Sequence, residues 1–299
     1  LRQRRFMVRS FPRFFAAFAF ALVFLPAAAF AQTTRSKKIF VITDLEGVDG
    51  IFNFDLQCIP DKSPRYAESR KLLTAEVNAA VKGLYEGGAT SVVVYDGHYG
   101  GHNLLPFGLD SRVELLAGSP VPPTLELDSS YAAVIFIGLH AMAGTPNAIL
   151  PHSYTWDIQN IWVNGNPVGE IGGRVMLAGI FGVPAIMLAG DHAACREFHD
   201  LVPQGECAEV KRGVGQTVGF TLSSPAACAL IEKKAQQAMG KLATIQPYSV
   251  KGPVEVKVEL TSSSTRTFTK QSGVEQLDGR TWVFRGADLR SAWLKFSSF

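Results

Sequence analysis

The segment Ile39-Phe40-Val41-Ile42-Thr43-Asp44-Leu45-Glu46-Gly47 is the most informative part of the chain for the fold, because a short apolar, β-branched run leads directly into two acids. An apolar run without polar alternation is typical of a strand buried on both faces, as in a parallel sheet. Similar runs recur at 92–95, 133–137, 161–163 and 184–188. We interpret all five as buried strands of this kind.

Helical patterns lie between these strands. Apolar residues from Leu72 to Leu84 recur at three- and four-residue spacing, Pro64 precedes them and Gly87-Gly88 ends the run. A second helix is predicted from Glu170 to Ile180. The alternation of strand and helix predicts βαβ units, and hence an α/β fold with a three-layer α/β/α core and a largely parallel sheet.

The pattern changes after about residue 205. Residues 225–241 read as one helix, 254–260 alternate apolar and charged residues as a half-exposed antiparallel strand does, and 261–269 read as a loop. We therefore predict a metal-binding catalytic α/β domain at 32–205. A smaller C-terminal α+β domain is predicted at 206–299.

Composition limits the class of protein. The 299 residues are 47% hydrophobic and 18% charged, which excludes a collagen, a disordered polymer and a polytopic membrane protein. Of the 29 Lys and Arg, five lie in the first 31 residues, which contain no acid, so 24 basic residues face 26 acidic ones in the remainder. A nucleic-acid partner is not expected, because phosphate binding needs a concentrated excess of Lys and Arg.

The first 31 residues have the order of a secretory signal peptide. Arginine-rich residues 2–13 precede an apolar stretch, 14–25, and the small residues at 27–31 provide a cleavage site after Ala31. We expect an exported protein, periplasmic or secreted. An uncleaved membrane anchor is the alternative, because residues 14–31 form an apolar run of about spanning length.

The cysteines do not form a recognisable metal or redox motif. Cys58, Cys195, Cys207 and Cys228 include no Cys-x-x-Cys pair, so neither a zinc ribbon nor a thioredoxin-type site is expected. In an exported protein they could form up to two bridges, with three possible connectivities. We expect buried or partly paired cysteines.

Polar side chains follow three of the predicted strands. Asp44 and Glu46 follow the first, His98 follows the second and His140 follows the third. Ligand sites in open α/β sheets lie at the carboxyl ends of the strands, so these side chains should converge. Carboxylates with neutral imidazoles suit zinc, and carboxylates can bridge two metals. Any one of them alone could be a turn, a cap or a structural histidine; the joint pattern favours a metal site.

Two further residues extend this set. Glu170 opens a glycine-rich helix, where it could either favour the helix N-terminus electrostatically or act as a fifth ligand. His152 lies on a proline-containing loop with few apolar neighbours in sequence, which suits a mobile acid/base better than a core residue.

The ordered motifs resemble the DppA-type zinc D-aminopeptidase family (peptidase family M55). The resemblance covers about residues 38–290 and rests on the runs at 44–50, 96–98, 138–141, 151–153 and 166–172. It implies a zinc-dependent peptidase that releases N-terminal D-amino acids, assembled as a ring-shaped homo-oligomer. It also implies a two-zinc centre bound by Asp44, Glu46, His98, His140 and Glu170, with His152 as the catalytic residue.

We therefore predict a two-zinc exopeptidase that releases D-residues such as D-Ala from short peptides. Metal-activated water would attack the scissile carbonyl, and His152 would act as acid/base. Two alternatives stay open. A two-metal phosphoesterase would need a phosphate-binding cation, for which Arg174 is the only nearby candidate. A non-catalytic periplasmic metal- or peptide-binding protein would need the ligands but not His152.

Overall fold

The computed structural model describes residues 36–297, together with the isolated positions 3, 7 and 10. The predicted signal peptide, residues 1–31, lies outside the described residues apart from those three positions. Within the described part of the chain, no helix combines the length and the apolar character needed to cross a membrane.

A seven-stranded sheet forms the centre of the fold. Its spatial order is β3 (Val113–Leu116), β2 (Ser91–Tyr95), β1 (Lys38–Thr43), β4 (Ala133–Leu139), β7 (Ala185–Asp191), β8 (Glu206–Gly215) and β9 (Val218–Thr221). All neighbours are parallel except the hairpin of β8 and β9. Strands β1, β4 and β7 are buried along nearly their whole length, as the apolar runs predict.

Helices cover both faces of this sheet. The order of the strands reverses at β1, because β2 lies on one side of it while β4 and β7 lie on the other. Right-handed crossovers in opposite directions place their helices on opposite faces. One face carries α2 (Tyr66–Glu86) packed against α5 (Ser224–Gly240), and the other carries α3 (Glu170–Ile180) packed against α4 (His192–Leu201). The predicted α/β fold with a largely parallel sheet is confirmed.

A second, antiparallel sheet has the order β11 (Val274–Gln276), β12 (Thr281–Gly286), β10 (Val254–Leu260), β5 (Ile158–Val163) and β6 (Asn166–Pro167). It packs with α6 (Leu289–Ser297) around its own apolar core. The short elements α1 (Phe54–Gln57) and a 3₁₀ helix (Pro106–Gly108) lie in loops between β1 and β3.

Residues 161–163 differ from their prediction as a strand buried on both faces. They form β5, which pairs antiparallel with β10 and β6 and buries mainly one face. The apolar run is three residues long, too short to distinguish the two situations. The predicted antiparallel strand at 254–260 is present as β10.

The predicted division at residue 205 differs from the membership of the two sheets. Strands β5 and β6 precede residue 205 yet belong to the antiparallel sheet, whereas β8, β9 and α5 follow it and complete the parallel layer. The chain passes between the sheets three times, so the described residues from 36 to 297 form one unit by contact.

One disulfide is present. Cys195 at the start of α4 is bonded to Cys207 in β8, with Cα atoms 5.8 Å apart. Cys58 is a buried free thiol and Cys228 a half-buried one. The cysteines are thus partly paired, as expected.

Candidate metal centre

The site lies at the carboxyl ends of β1, β2 and β4. The parallel register brings these ends to one edge, because Ile42 lies beside Tyr95 and Thr43 beside Ile137. The turn after β1 approaches β4 closely: Gly47 N donates to Gly138 O at 2.7 Å. A Cβ on Gly47 would lie 2.1 Å from a backbone oxygen of β4, so only glycine allows this approach.

His98 lies between two carboxylates. Its Nδ1 is 3.0 Å from Asp44 Oδ1 and 3.2 Å from Glu46 Oε2. On the other side of the ring, Nε2–H donates to the backbone oxygen of Cys58 at 2.8 Å. That hydrogen bond fixes the tautomer and leaves the Nδ1 lone pair facing the two acids, as in a histidine that binds metal.

His140 repeats this arrangement with the opposite nitrogen. Nδ1–H donates to Ala141 O at 3.0 Å, and Nε2 lies 3.4 Å from both Asp44 Oδ2 and Glu170 Oε1. Asp44 therefore has one oxygen beside each histidine, the position that a bridging carboxylate takes between two ions. Glu170 is fixed by Tyr154 N–H, which donates to its Oε1 at 2.7 Å.

His152 completes the cluster. Its Nδ1–H donates to Leu150 O at 3.0 Å, and its Nε2 lies 3.8 Å from Glu170 Oε1 and 4.0 Å from Glu46 Oε1. The ring stacks on His140, with centroids 4.0 Å apart and planes 13° apart. All six side chains that the sequence singles out are buried and lie together.

The charges of the cluster stabilise any added positive charge. Burial disfavours a charged Asp44 or Glu170, but the His140 imidazole outweighs burial and holds the pKa of both carboxyls below its ordinary value. Burial also disfavours charged imidazoles, yet the adjacent carboxylates raise the pKa of His98 and His140 well above the usual value. The site thus stabilises cations strongly, whether protons or a metal.

The donor set fits a metal. Among the described residues, Glu46 Oε2 and His140 Nε2 are buried side-chain atoms with no hydrogen-bond partner, and both point into the cluster. Three overlapping groups have ligand atoms within 4.8 Å of one another, and they share members: Asp44, Glu46 and His98; Asp44, His140 and Glu170; and Glu46, His140 and His152. Carboxylate oxygens with imidazole nitrogens are a zinc-type ligand set.

Comparisons with known proteins show the family of this chain. The D-aminopeptidase family model (peptidase family M55) matches residues 37–297. The chain belongs to the D-aminopeptidase family. A D-aminopeptidase of Bacillus subtilis (strain 168) is 27% identical over 260 residues, which are 86% of this chain and 94% of that protein. The solved structure of the Zn-dependent D-aminopeptidase DppA from Bacillus subtilis, described as a self-compartmentalizing protease, has a TM-score of 0.79 and 25% identity. The match covers 87% of this chain and 95% of that one.

Two features of this D-aminopeptidase-family site were not predicted from the sequence. The first is a cleft of about 340 Å³ above the acids, whose outer wall contains Phe54, Tyr99 and Trp156. The second is Lys211 of β8, whose buried ammonium donates to three backbone oxygens of the turn after β1, those of Glu46, Val48 and Ile51. Lys211 thus supports the turn that carries two of the candidate ligands.

Arg174, the candidate phosphate-binding cation, does not line this cleft. Its guanidinium lies over the ring of Tyr154, 5.5 Å from the centroid, and burial opposes its charge while Tyr154 and Glu170 raise its pKa. It therefore adds positive charge near Glu170 but does not line the surface on which a phosphate group would bind.

Proposed function

We propose that this chain is a zinc-dependent D-aminopeptidase that releases N-terminal D-residues such as D-Ala from short peptides. One observation carries the proposal. Each of the three buried histidines donates one ring N–H to a backbone oxygen and turns its other nitrogen toward shared carboxylates. Family membership supplies the preference for D-residues, which the side chains alone do not reveal.

Two zinc ions per chain fit the ligand groups. His98 Nδ1 and Glu46 would hold one, His140 Nε2 and Glu170 the other, and Asp44 would be shared. Zinc bound there lowers the pKa of a water molecule and polarises a carbonyl group, the two effects that peptide hydrolysis needs. The free amino group of a peptide, as the neutral amine, would supply a further nitrogen donor at this site, which favours cleavage at the N-terminal residue.

His152 is the proton carrier in this proposal. Hydrolysis breaks the C–N bond, adds hydroxide to the acyl carbon and adds a proton to the leaving amine. Because Leu150 O holds the Nδ1 proton, Nε2 is free to take a proton from the attacking water and deliver it to the amine. Nε2 faces Glu46 and Glu170 and lies on the cleft, within reach of both events.

The phosphoesterase alternative is less well supported. In the described part of the chain, none of the residues lining the cleft is Lys or Arg, so a phosphate group would have no cationic side chain to bind there. The alternative of a non-catalytic binding protein predicts that no peptide is hydrolysed and that substitution of His152 leaves the binding of metal or peptide unchanged.

Export and assembly are further parts of the proposal. A disulfide between Cys195 and Cys207 suits an oxidising compartment, which supports the signal peptide at residues 1–31 and a periplasmic or secreted location. Strand β9 lies at the edge of the parallel sheet, and Val214, Val218 and Phe220 on the β8–β9 hairpin are exposed. An exposed apolar edge supports a homo-oligomer, and a self-compartmentalizing relative is consistent with a ring.

The test uses purified protein from Gln32 onward. Bound zinc per chain is quantified, and release of D-Ala and L-Ala from matched dipeptides is followed with and without a chelator. We expect about two zinc ions per chain and chelator-sensitive, D-selective release. His152→Ala should lose turnover while retaining zinc, and His199→Ala, at an exposed histidine of α4, is the matched control. Bound zinc with no release from either stereoisomer would refute the peptidase.

A further inference from the structure

Three aromatic side chains form a continuous surface at the mouth of the cleft, which we call the aromatic rim: Phe54, Tyr99 and Trp156. Phe54 lies in the middle, with its ring centroid 5.2 Å from that of Trp156 and 6.2 Å from that of Tyr99. The rim reaches the metal-site histidines at both ends. The ring centroid of Tyr99 is 5.4 Å from that of His98. Trp156 stacks on His152, with ring centroids 4.4 Å apart and planes 15° apart.

The rim is exposed in a way that core aromatics are not. Trp156 is 52% exposed and Tyr99 is 60% exposed, although both side chains border a concave surface. Large aromatic surfaces beside a cleft are sites where a ligand gains binding free energy by removing apolar area from water. His152 covers one face of the Trp156 indole and Phe54 lies beside the ring, and the exposed part of the side chain is available to a ligand.

The backbone at the rim is held in an uncommon conformation. Tyr99 has φ of 44°, in the left-handed region that a residue with a large side chain rarely adopts. Leu150 and Tyr154, on either side of His152, are also left-handed, with φ of 49° and 62°. Such conformations persist where the surrounding structure enforces them, and they concentrate at functional sites.

The charges of the cleft favour an apolar ligand group at its mouth. The charged groups of the lining are the acids and histidines of the metal centre on its floor, and no lysine or arginine belongs to the described lining. A carboxylate side chain at the rim would lose water without gaining a cationic partner. An apolar side chain would instead be buried against three rings.

We propose that the aromatic rim binds an apolar or aromatic side chain of the peptide substrate, and that Trp156 is the main specificity residue. This inference rests on the proposed peptidase function. With the N-terminal amino group and the scissile carbonyl at the metal centre, the substrate extends outward past Trp156. The substrate class is therefore D-peptides with an apolar residue next to the cleaved bond, rather than peptides with acidic side chains.

The experiment compares kcat/KM across two peptide amide series. D-Ala followed by Gly, Leu, Phe or Glu varies the second residue, and D-Ala, D-Leu, D-Phe or D-Glu followed by Gly varies the first. The series that responds identifies the side chain in contact with the rim. Wild-type protein should favour Leu or Phe over the Gly or Ala reference, and over Glu, by about ten- to a hundredfold in that series, the range that apolar contacts supply in a binding pocket.

Trp156→Ala should remove most of this ratio, and Trp156→Phe should restore part of it. Because the ratio is taken within one variant, slower turnover of every peptide through weaker support of His152 cancels. Phe107→Ala, at a fully exposed phenylalanine outside the cleft, is the matched control and should leave the ratio unchanged. An unchanged ratio in Trp156→Ala, or a wild-type preference for Glu, would overturn the inference.

Binding distinguishes this failure from failure of the proposed function. If wild-type protein cleaves none of the peptides, the peptidase assignment fails, and calorimetric affinities for the same peptides decide the role of the rim. An apolar preference in affinity that Trp156→Ala abolishes would support the rim without catalysis. Equal affinities in the wild type and the variant would refute it.

Discussion

Replacement of Lys211 by Met tests whether a buried ammonium holds the turn that carries Asp44 and Glu46. Lys211 is 3% exposed, and its Nζ donates to three carbonyl oxygens of this turn, those of Glu46 at 2.5 Å, Val48 at 2.8 Å and Ile51 at 2.6 Å. Methionine has a similar length and no donor, so the change removes the hydrogen bonds with little loss of volume.

The magnitude follows from two opposing effects. Each buried carbonyl left without a donor costs about 1–3 kcal/mol. Removal of the buried charge returns part of this loss, because burial is unfavourable to the ammonium and lowers the pKa of Lys211 to about 8. We expect a net loss of about 3–5 kcal/mol in the free energy of unfolding, because three carbonyls left without a donor outweigh the relief of burying the ammonium. In a unit of this size that corresponds to a fall in Tm of about 10 °C.

The turn should also lose its hold on metal. Supporting residues outside the ligand set typically change metal affinity by about 10- to 100-fold, and we expect Lys211→Met to weaken zinc binding within that range. Urea unfolding of metal-free protein gives the stability, and competition with a coloured chelator gives the zinc affinity. Lys71→Met, at an exposed lysine of α2, is the matched control. A Lys211→Met protein with the control's urea midpoint and zinc affinity would refute the reasoning.

Three further results are expected. The Arg266 guanidinium beside Asp157 lowers the pKa of that carboxyl to about 2. The stabilising contribution of this ion pair, about 1 kcal/mol, is therefore present above pH 4 and is lost as the pH falls toward 2. Urea midpoints of Asp157→Asn and wild type should differ at pH 6 and converge near pH 2. Replacing Cys195 and Cys207 by serine should lower the free energy of unfolding by about 3 kcal/mol, measured by urea unfolding, with reduced wild type behaving alike; equal stability would contradict a closed bridge. Glu170→Gln should lower the bound zinc by about one ion per chain in metal analysis, and a full complement would exclude Glu170 as a ligand.

The convergence of the candidate site was predictable from the sequence because it depends on the order of elements along the chain. Asp44, His98 and His140 each follow an apolar run, and parallel pairing brings the ends of those runs to one edge. Glu170 was located by its place at the start of α3, whose predicted bounds match the structure. The roles of these residues as ligands, and of His152 as acid/base, remain predictions for the assays above.

Strand pairing was less predictable. The run at 161–163 has the same composition as the strands of the parallel sheet, yet it pairs with β10, about 95 residues later in the chain. Short apolar runs specify that a strand forms but not which strand lies beside it. The same limit explains the difference at residue 205. Strand β8 joins the parallel sheet by pairing with β7, and β9 joins it by pairing with β8, which no local pattern reveals.

Lys211 shows why the support of the site could not be read from the sequence. Strict alternation along β8 buries Ala208 and Val210 and would turn Lys211 to the exposed side. The structure instead has a register shift, with Gly190 beside Glu209 but Asp191 beside Lys211, so one extra residue of β8 lies opposite β7. Such a bulge redirects the side chains that follow it, and here it turns a lysine inward toward the turn after β1. Because the shift is a property of the pairing, β8 read alone predicts a solvated lysine, whereas the folded sheet places that lysine's ammonium beneath the candidate metal ligands.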